Sequence, residues 1–112
     1  MRENRKNLRY YTTGLARING VKKDFSVKNI SVTGCCLECP FDFKEVKINE
    51  KYMLDVKPER SSHIRDFNLE VECRWIRSNN DSCEIGFQIT ASPGGKCFQS
   101  YVDYITYHSV IA

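Results

Sequence analysis

Two short motifs in the first third of the chain carry the side chains best suited to chemistry. The first holds Arg5 and Arg9 at a spacing of four. Each guanidinium can donate in-plane to guanine O6 and N7, grip a phosphate bidentately or stack on a purine ring. The second begins 20 residues after Arg9 and supplies the carboxamide of Asn29, the hydroxyl of Ser31 and the flexible backbone of Gly34. Together, the motifs predict a purine-binding site built in two halves.

The net charge of the chain lies in its first nine residues. Residues 1–9 carry four basic side chains and one acidic side chain, whereas the remaining 13 basic and 13 acidic residues cancel. A cationic arm on a neutral body favours a small anionic ligand or a local acidic surface over a long nucleic acid, which prefers a wide basic face. Because the arm has almost no apolar residue, we expect it to be flexible. The alternative is a solvated N-terminus with no binding role.

Size and composition indicate one small domain. A chain of 112 residues can bury a single modest core, and no linker separates a second unit. The N-terminus has no apolar signal region, and no stretch approaches the ~18 apolar residues that a membrane span needs. We therefore expect a soluble, cytoplasmic protein. In that compartment, the six cysteines are expected to be reduced and mostly buried thiols rather than a disulfide framework.

Short runs of β-forming residues alternate with turn signals along most of the chain. The predicted strands cover residues 10–18, 21–27, 34–39, 51–56, 69–77 and 83–90. Asn19 and Gly20 form a strong hairpin-turn signal between the first two strands. Six short antiparallel strands in so small a chain favour a closed β-barrel, because closure removes the exposed strand edges. We expect the barrel to occupy residues 10–90.

The end of the chain has a different pattern. Residues 96–110 contain no proline or glycine, and Phe98, Val102 and Ile105 recur at steps of three and four, which predicts a C-terminal helix. Tyr101, Tyr104 and Tyr107 are expected to pack this helix against one end of the barrel. The predicted fold is therefore all-β, with one helix at the C-terminus.

No motif for catalysis or metal binding is complete. The sequence around Lys96 lacks the first glycine and the final hydroxyl residue of a phosphate-binding loop. Cys36 and Cys39 are three apart in a predicted strand, so they should face opposite sides of it, and no second cysteine pair follows. His63 and His108 are isolated. We therefore expect neither an enzyme nor a bound metal or cofactor.

The residues quoted above resemble the PilZ domain, a bacterial receptor module for cyclic di-GMP. Residues 5–9 match its RxxxR motif, residues 29–34 match its [DN]xSxxG motif, and residues 71–76 with 85–87 resemble its closing hairpin. The match covers nearly the whole chain. The resemblance implies a six-stranded antiparallel barrel with a C-terminal helix. It also implies that the protein binds cyclic di-GMP and passes the signal to a second, unidentified effector protein.

The resemblance also implies roles for individual residues. Arg5 and Arg9 would bind guanine and phosphate, and Asn29 and Ser31 would bind a guanine edge. Gly34 would form the turn. Lys6 and Trp75 are further candidates for contact with the ligand, and Trp75 would either wall the site or belong to the core.

Two other functions fit part of the pattern. A small barrel with a basic arm could bind RNA or single-stranded DNA, but the sequence lacks a strand face on which basic and aromatic residues alternate. A PilZ-like interaction module that has lost its ligand is the second alternative. The intact Arg5, Arg9, Asn29 and Ser31 count against it.

Overall fold

The computed structural model describes residues 10–39, 43–78, 81–93 and 95–108, and these form a β-barrel with one helix. The elements are β1 (Tyr10–Tyr11), β2 (Leu15–Ile18), β3 (Asp24–Ile30), β4 (Gly34–Cys39), β5 (Lys51–Lys57), a 3-10 helix (Arg60–Ser62), β6 (Phe67–Ser78), β7 (Cys83–Ala91) and α1 (Gly95–His108).

The strands close into an antiparallel barrel. Starting from β2, each strand pairs with the next in the order β2, β3, β4, β7, β6 and β5, and β5 pairs again with β2. β1 pairs with β3 beyond the end of β2, with Tyr10 opposite Ile30 and Tyr11 opposite Asn29. β1 and β2 thus occupy one barrel position, interrupted at residues 12–14. The predicted six-stranded antiparallel barrel with a C-terminal helix is confirmed.

The turn after β2 differs from the predicted tight hairpin. Val21 N donates to Ile18 O at 2.9 Å, and Gly20 has a φ of 89°. Asn19 has no positive φ, so the turn is of type II rather than the twisted type I′ that continues directly into a hairpin ladder. Strand pairing accordingly resumes only at Asp24, opposite Arg17, rather than at the predicted residue 21.

Alternate strand residues fill the barrel, and both of its ends are closed. At one end, the Phe43 ring packs edge-on against Phe25, with ring centroids 5.0 Å apart. At the other end, α1 places Phe98 and Tyr101 against Phe67, each at 5.8 Å. The turn between β3 and β4 lies at this second end. The last residues of β3 pair with β1, and β1 contacts α1. The helix and the Asn29 to Gly34 motif therefore share one end of the barrel.

The tyrosines of α1 do not behave alike. Tyr101 is fully buried, Tyr104 packs against the rim of the core, and Tyr107 is 84% exposed. The prediction that all three pack the helix against the barrel was wrong for Tyr107. Within the described residues, no helix combines the length and the apolar character needed to cross a bilayer. All six cysteines are free thiols, and five of them are buried.

Candidate ligand-binding site

The turn between β3 and β4 is held together by Ser31. Its backbone N donates to Gly34 O at 2.8 Å. Its hydroxyl accepts hydrogen bonds from the backbone N of Thr33 at 3.2 Å and of Gly34 at 3.3 Å. Ser31 is 2% exposed. The Ser31 hydroxyl points into the turn, because the turn's own N–H groups need an acceptor. Its contact with a guanine edge stays a prediction.

Gly34 has a different role from the one expected of a turn glycine. It is the first residue of β4, it is buried, and it lies opposite Gln88 of β7. Among the described glycines, only Gly20 has a positive φ, so the backbone of Gly34 is not left-handed. The turn is closed by the Ser31 hydroxyl and not by a left-handed backbone at Gly34.

Four residues form a row across the outer face of the barrel beside this turn. Asn29 of β3 lies opposite Cys36 of β4, Cys36 lies opposite Gly86 of β7, and Gly86 lies opposite Trp75 of β6. Their chain neighbours Ile30, Cys35, Ile85 and Phe87 are buried in the core, so the row itself faces outward. A β-bulge precedes Asn29 and another precedes Trp75. Bulges change the direction of nearby side chains, so the directions of the Asn29 and Trp75 side chains depend on the bulge that precedes each of them.

Asn29 is distinguished by its side-chain oxygen. Within the described part of the chain, Asn29 Oδ1 is the one buried side-chain nitrogen or oxygen atom without a hydrogen-bond partner. A buried polar atom left unpaired costs about 1–3 kcal/mol. Such an atom is expected where a ligand completes the hydrogen bonding, and a carboxamide oxygen accepts well from the N1–H and N2–H groups of guanine.

Trp75 packs on the glycine opposite it. A Cβ atom added to Gly86 would lie 2.1 Å from two atoms of the indole, so only glycine permits this contact. Trp75 is half-buried on the outer face and is not part of the barrel core. It lines a cleft of about 310 Å³ together with Thr33 and Gly34 of the turn, Arg74 of β6 and Gln88 of β7. Trp75 therefore does not belong to the core, and its contact with a ligand stays a prediction.

Charged side chains surround the row on its outer face. Arg74 Nη1 lies 2.9 Å from Glu72 Oε2 at one side of the cleft. On the other side, Glu84 contacts Lys28 Nζ at 2.5 Å and Arg77 Nη1 at 3.5 Å. The hydrogen bond to Glu84 raises the pKa of Lys28, against the opposing effect of burial. The Arg77 guanidinium carbon lies 5.3 Å from the centroid of the Trp75 ring, a cation–π distance.

Of the predicted site residues, Gly34 and Trp75 line one cleft, and Asn29 lies at the opposite end of the outer row from Trp75. Arg5, Lys6 and Arg9, with the predicted flexible arm at residues 1–9, lie outside the described residues. Arg9 is bonded to Tyr10, the first residue of β1, which pairs with the end of β3. No group of three or more His, Cys, Asp or Glu side chains suited to a metal occurs in the ranges described.

Sequence reasoning missed the part that Gly86, Arg77, Glu84 and Lys28 play around the site. Gly86 belongs to a hairpin whose pattern was noted, but its position opposite Trp75 depends on the bulge in β6, which shifts the register by one residue. An aromatic residue and a glycine on adjacent predicted strands were the only available signal. The sequence carried no signal for Arg77, Glu84 and Lys28, because charged residues on the solvated faces of strands are common.

Comparison with known proteins identifies the family. A family model described as the PilZ domain matches residues 3–103. The chain belongs to the PilZ domain family. Members of this family are modules that bind cyclic di-GMP, and they are not enzymes. No curated protein matches the chain.

A solved structure shares the fold. The inhibitor of motility MotI/DgrA from Bacillus subtilis superimposes with a TM-score of 0.78 at 17% sequence identity, and the alignment covers 95% of this chain and 51% of that one. The PilZ chain thus spans about half the length of that protein. At this identity, the likeness shows a common fold.

Proposed function

We propose that this PilZ domain is a cytoplasmic, non-enzymatic receptor for cyclic di-GMP, and that Asn29 Oδ1, which has no partner among the described residues, accepts a hydrogen bond from a guanine of the ligand. This oxygen is the observation that carries the proposal, because a buried acceptor without a partner is stabilised by a ligand that supplies a donor. The cleft at the other end of the outer row offers Trp75 as an aromatic wall for a purine.

The RxxxR motif is joined through the chain to β1, the strand that pairs with the end of β3. Arg9 directly precedes Tyr10, the first residue of β1, and Tyr11 of β1 lies opposite Asn29. Arg5 and Arg9 bind guanine and phosphate in the proposed complex, and Lys6 adds positive charge for the two phosphates. Ser31 and Gly34 contribute by fixing the turn that borders the cleft.

The output of the receptor is a change in conformation or in affinity for a second protein. The described residues form only the barrel and its helix, and a binding module signals through differential interactions with a partner in its two states. The effector is unidentified. The end of the barrel that carries the turn also carries α1, so a ligand at the turn lies close to a helix that a partner can contact.

Isothermal titration calorimetry with cyclic di-GMP tests the proposal, with GTP and a short oligonucleotide as comparison ligands. We expect cyclic di-GMP to bind and the other two to bind weakly or not at all. Asn29→Ala should weaken binding about tenfold, which corresponds to the loss of one hydrogen bond. Asn68→Ala, an exposed asparagine on the outer face of β6, is the matched control and should bind as wild type does.

The arginines give a second measure of the same proposal. Arg5→Ala or Arg9→Ala should weaken binding by roughly 1.5–3 kcal/mol per lost charge-assisted contact. Arg9→Lys should not restore it, since an ammonium cannot form the two-pronged contact. Binding of the oligonucleotide in preference to cyclic di-GMP would support the nucleic-acid alternative. No binding of any of the three ligands would leave the domain as an interaction module.

A further inference from the structure

Glu84 joins two parts of the candidate site that are distant in sequence. It lies on the outer face of β7, two residues before Gly86, and its side chain is 16% exposed. One carboxylate oxygen contacts Lys28 of β3 at 2.5 Å and the other contacts Arg77 of β6 at 3.5 Å. A single carboxylate thus connects cations from strands that lie on either side of the β4–β7 pair.

Each of these cations stands beside one end of the outer row. Lys28 is at the bulge of β3 and is the chain neighbour of Asn29. Arg77 lies over the ring of Trp75, just after the bulge of β6. Glu84 is therefore connected to Asn29 through a strand backbone and to Trp75 through a cation–π contact.

Glu84 is better suited to positioning than to overall stability. Exposed ion pairs contribute little to folding, at most about 1 kcal/mol, and the Arg77 side chain is 69% exposed. Fixing a side chain at a ligand site is more sensitive, because a displacement of about 1 Å weakens contacts that depend on direction. Bulged strands have fewer ladder hydrogen bonds locally, so side-chain contacts count for more there.

We propose that Glu84 is a positioning residue that sets the separation of Asn29 and Trp75 by holding Lys28 and Arg77. This inference rests on the proposed binding of cyclic di-GMP at the outer row. It goes beyond that proposal by assigning a role to a residue that lies outside both sequence motifs and that repels the ligand's phosphates.

The sign of the charge provides the test. Cyclic di-GMP is an anion, so removing a nearby carboxylate should strengthen its binding if Glu84 acts only through its charge. Positioning predicts the opposite, since Glu84→Gln releases both cations. Glu38→Gln is the matched control, because Glu38 lies opposite Glu84 on the same face and acts on Lys28 through its charge.

The experiment measures calorimetric affinity for cyclic di-GMP and the fluorescence of Trp75, the only tryptophan in the chain, in wild type, Glu84→Gln and Glu38→Gln. We expect Glu84→Gln to bind three- to tenfold more weakly and its Trp75 emission to shift in the free protein. Glu38→Gln should bind as tightly as wild type or more tightly, with unchanged emission. Affinity in Glu84→Gln equal to or above that of wild type would overturn the proposal.

Two further measurements separate this inference from the proposed function. If the wild-type protein does not bind cyclic di-GMP, the proposed function fails, and the free-state fluorescence still decides whether Glu84 positions Trp75. Arg77→Ala is the second variant, and because its side chain is exposed it should fold normally. It should shift the Trp75 emission in the same direction as Glu84→Gln. Unchanged emission in both variants would exclude the positioning role.

Discussion

Gly14 and Gly86 each allow an aromatic side chain to approach the backbone where no larger residue fits. A Cβ atom at Gly14 would lie 2.4 Å from the Tyr101 hydroxyl oxygen, and one at Gly86 would lie 2.1 Å from two atoms of the Trp75 indole. The surroundings of the two aromatic residues differ. Tyr101 is a residue of α1 and is completely buried against the barrel, whereas Trp75 is half-buried on the outer face and lines a cleft. The same backbone feature thus supports the fold at one place and the candidate ligand site at the other.

The Tyr101 contact joins several elements. Its hydroxyl donates to Glu59 Oε1 at 2.6 Å and also hydrogen-bonds Thr12 Oγ1, which accepts from Gly14 N at 2.9 Å. Residues 12–14 are the interruption between β1 and β2. The hydroxyl from α1 therefore adds a side-chain hydrogen bond at the interruption between β1 and β2, where Gly14 O keeps a backbone bond to Val27 N of β3. Among the described residues, the neighbours of Trp75 on the outer face include the exposed, charged side chains of Arg74 and Arg77 instead.

The largest expected effect is the loss of stability in Gly14→Ala. The added methyl group would collide with the hydroxyl of Tyr101, which is fully buried, and would lie 3.2 Å from Lys57 O, a backbone atom of β5. Overpacking of this kind costs about 1–3 kcal/mol, and the disrupted hydrogen bonds at Thr12 and Glu59 should bring the total to about 3 kcal/mol or more. Urea unfolding measures it. Gly95→Ala is the control, because its Cβ meets nothing within 4 Å, and alanine favours the helix. A Gly14→Ala protein as stable as wild type would show that the Tyr101 contact is not rigid.

The next effect is on binding, in Gly86→Ala. The methyl group would push the Trp75 indole off β7, but a half-buried ring can turn outward, so we expect a smaller loss of stability than in Gly14→Ala, about 1–2 kcal/mol. Affinity for cyclic di-GMP should fall at least tenfold, and the emission of Trp75 should shift to longer wavelength. If stability fell as far as in Gly14→Ala while affinity was retained, the distinction between the two glycine contacts would be lost.

Much of this architecture could be predicted from the sequence, for identifiable reasons. Alternating apolar residues and turn signals specify the barrel strands, and the spacing of Phe98, Val102 and Ile105 specifies the helix face. The predictions failed where long-range contacts decide. The interruption at residues 12–14 depends on a tyrosine almost 90 positions away, and no local pattern encodes it.

In the candidate site too, the sequence predicted the residues but not the contacts that form only on folding. Residue identity pointed to Asn29, Ser31 and Gly34, but not to which side chain faces outward. Ser31 turns inward because two backbone N–H groups of the turn need its oxygen, a requirement that appears only once the turn has formed. The row from Asn29 to Trp75 depends on two bulges, and each changes which face the following residues occupy.

A smaller effect should separate Ser31 from Asn29 within one motif. Ser31→Ala leaves the backbone N–H groups of Thr33 and Gly34 without their acceptor, so the protein should lose about 1–2 kcal/mol of stability. Asn29→Ala removes an oxygen that has no partner in the described chain, so stability should be unchanged or slightly higher. Thermal unfolding of the free proteins measures both, with Ser26→Ala, an exposed serine of β3, as the control. A loss in Asn29→Ala equal to that in Ser31→Ala would show that Asn29 also supports the turn.

The smallest expected effect is a dependence of stability on alkaline pH through Tyr101. Burial, followed by the hydrogen bond to Glu59, raises the pKa of Tyr101 well above that of an ordinary tyrosine, about 10. The folded protein therefore keeps the phenol proton at pH values where the unfolded chain has lost it. The stabilisation is fully present below about pH 10 and decreases above it, by up to ~1.4 kcal/mol per pH unit.

Urea unfolding at roughly pH 8 to 11, a range that brackets the pKa of tyrosine in the unfolded chain, measures this slope. Tyr101→Phe should be less stable at neutral pH but should lose this part of the slope, whereas Tyr107→Phe, at an exposed position on the same helix, should retain it. Equal slopes in wild type and Tyr101→Phe would show that the hydroxyl remains accessible to water, and the contrast with Trp75 would then lie in packing alone.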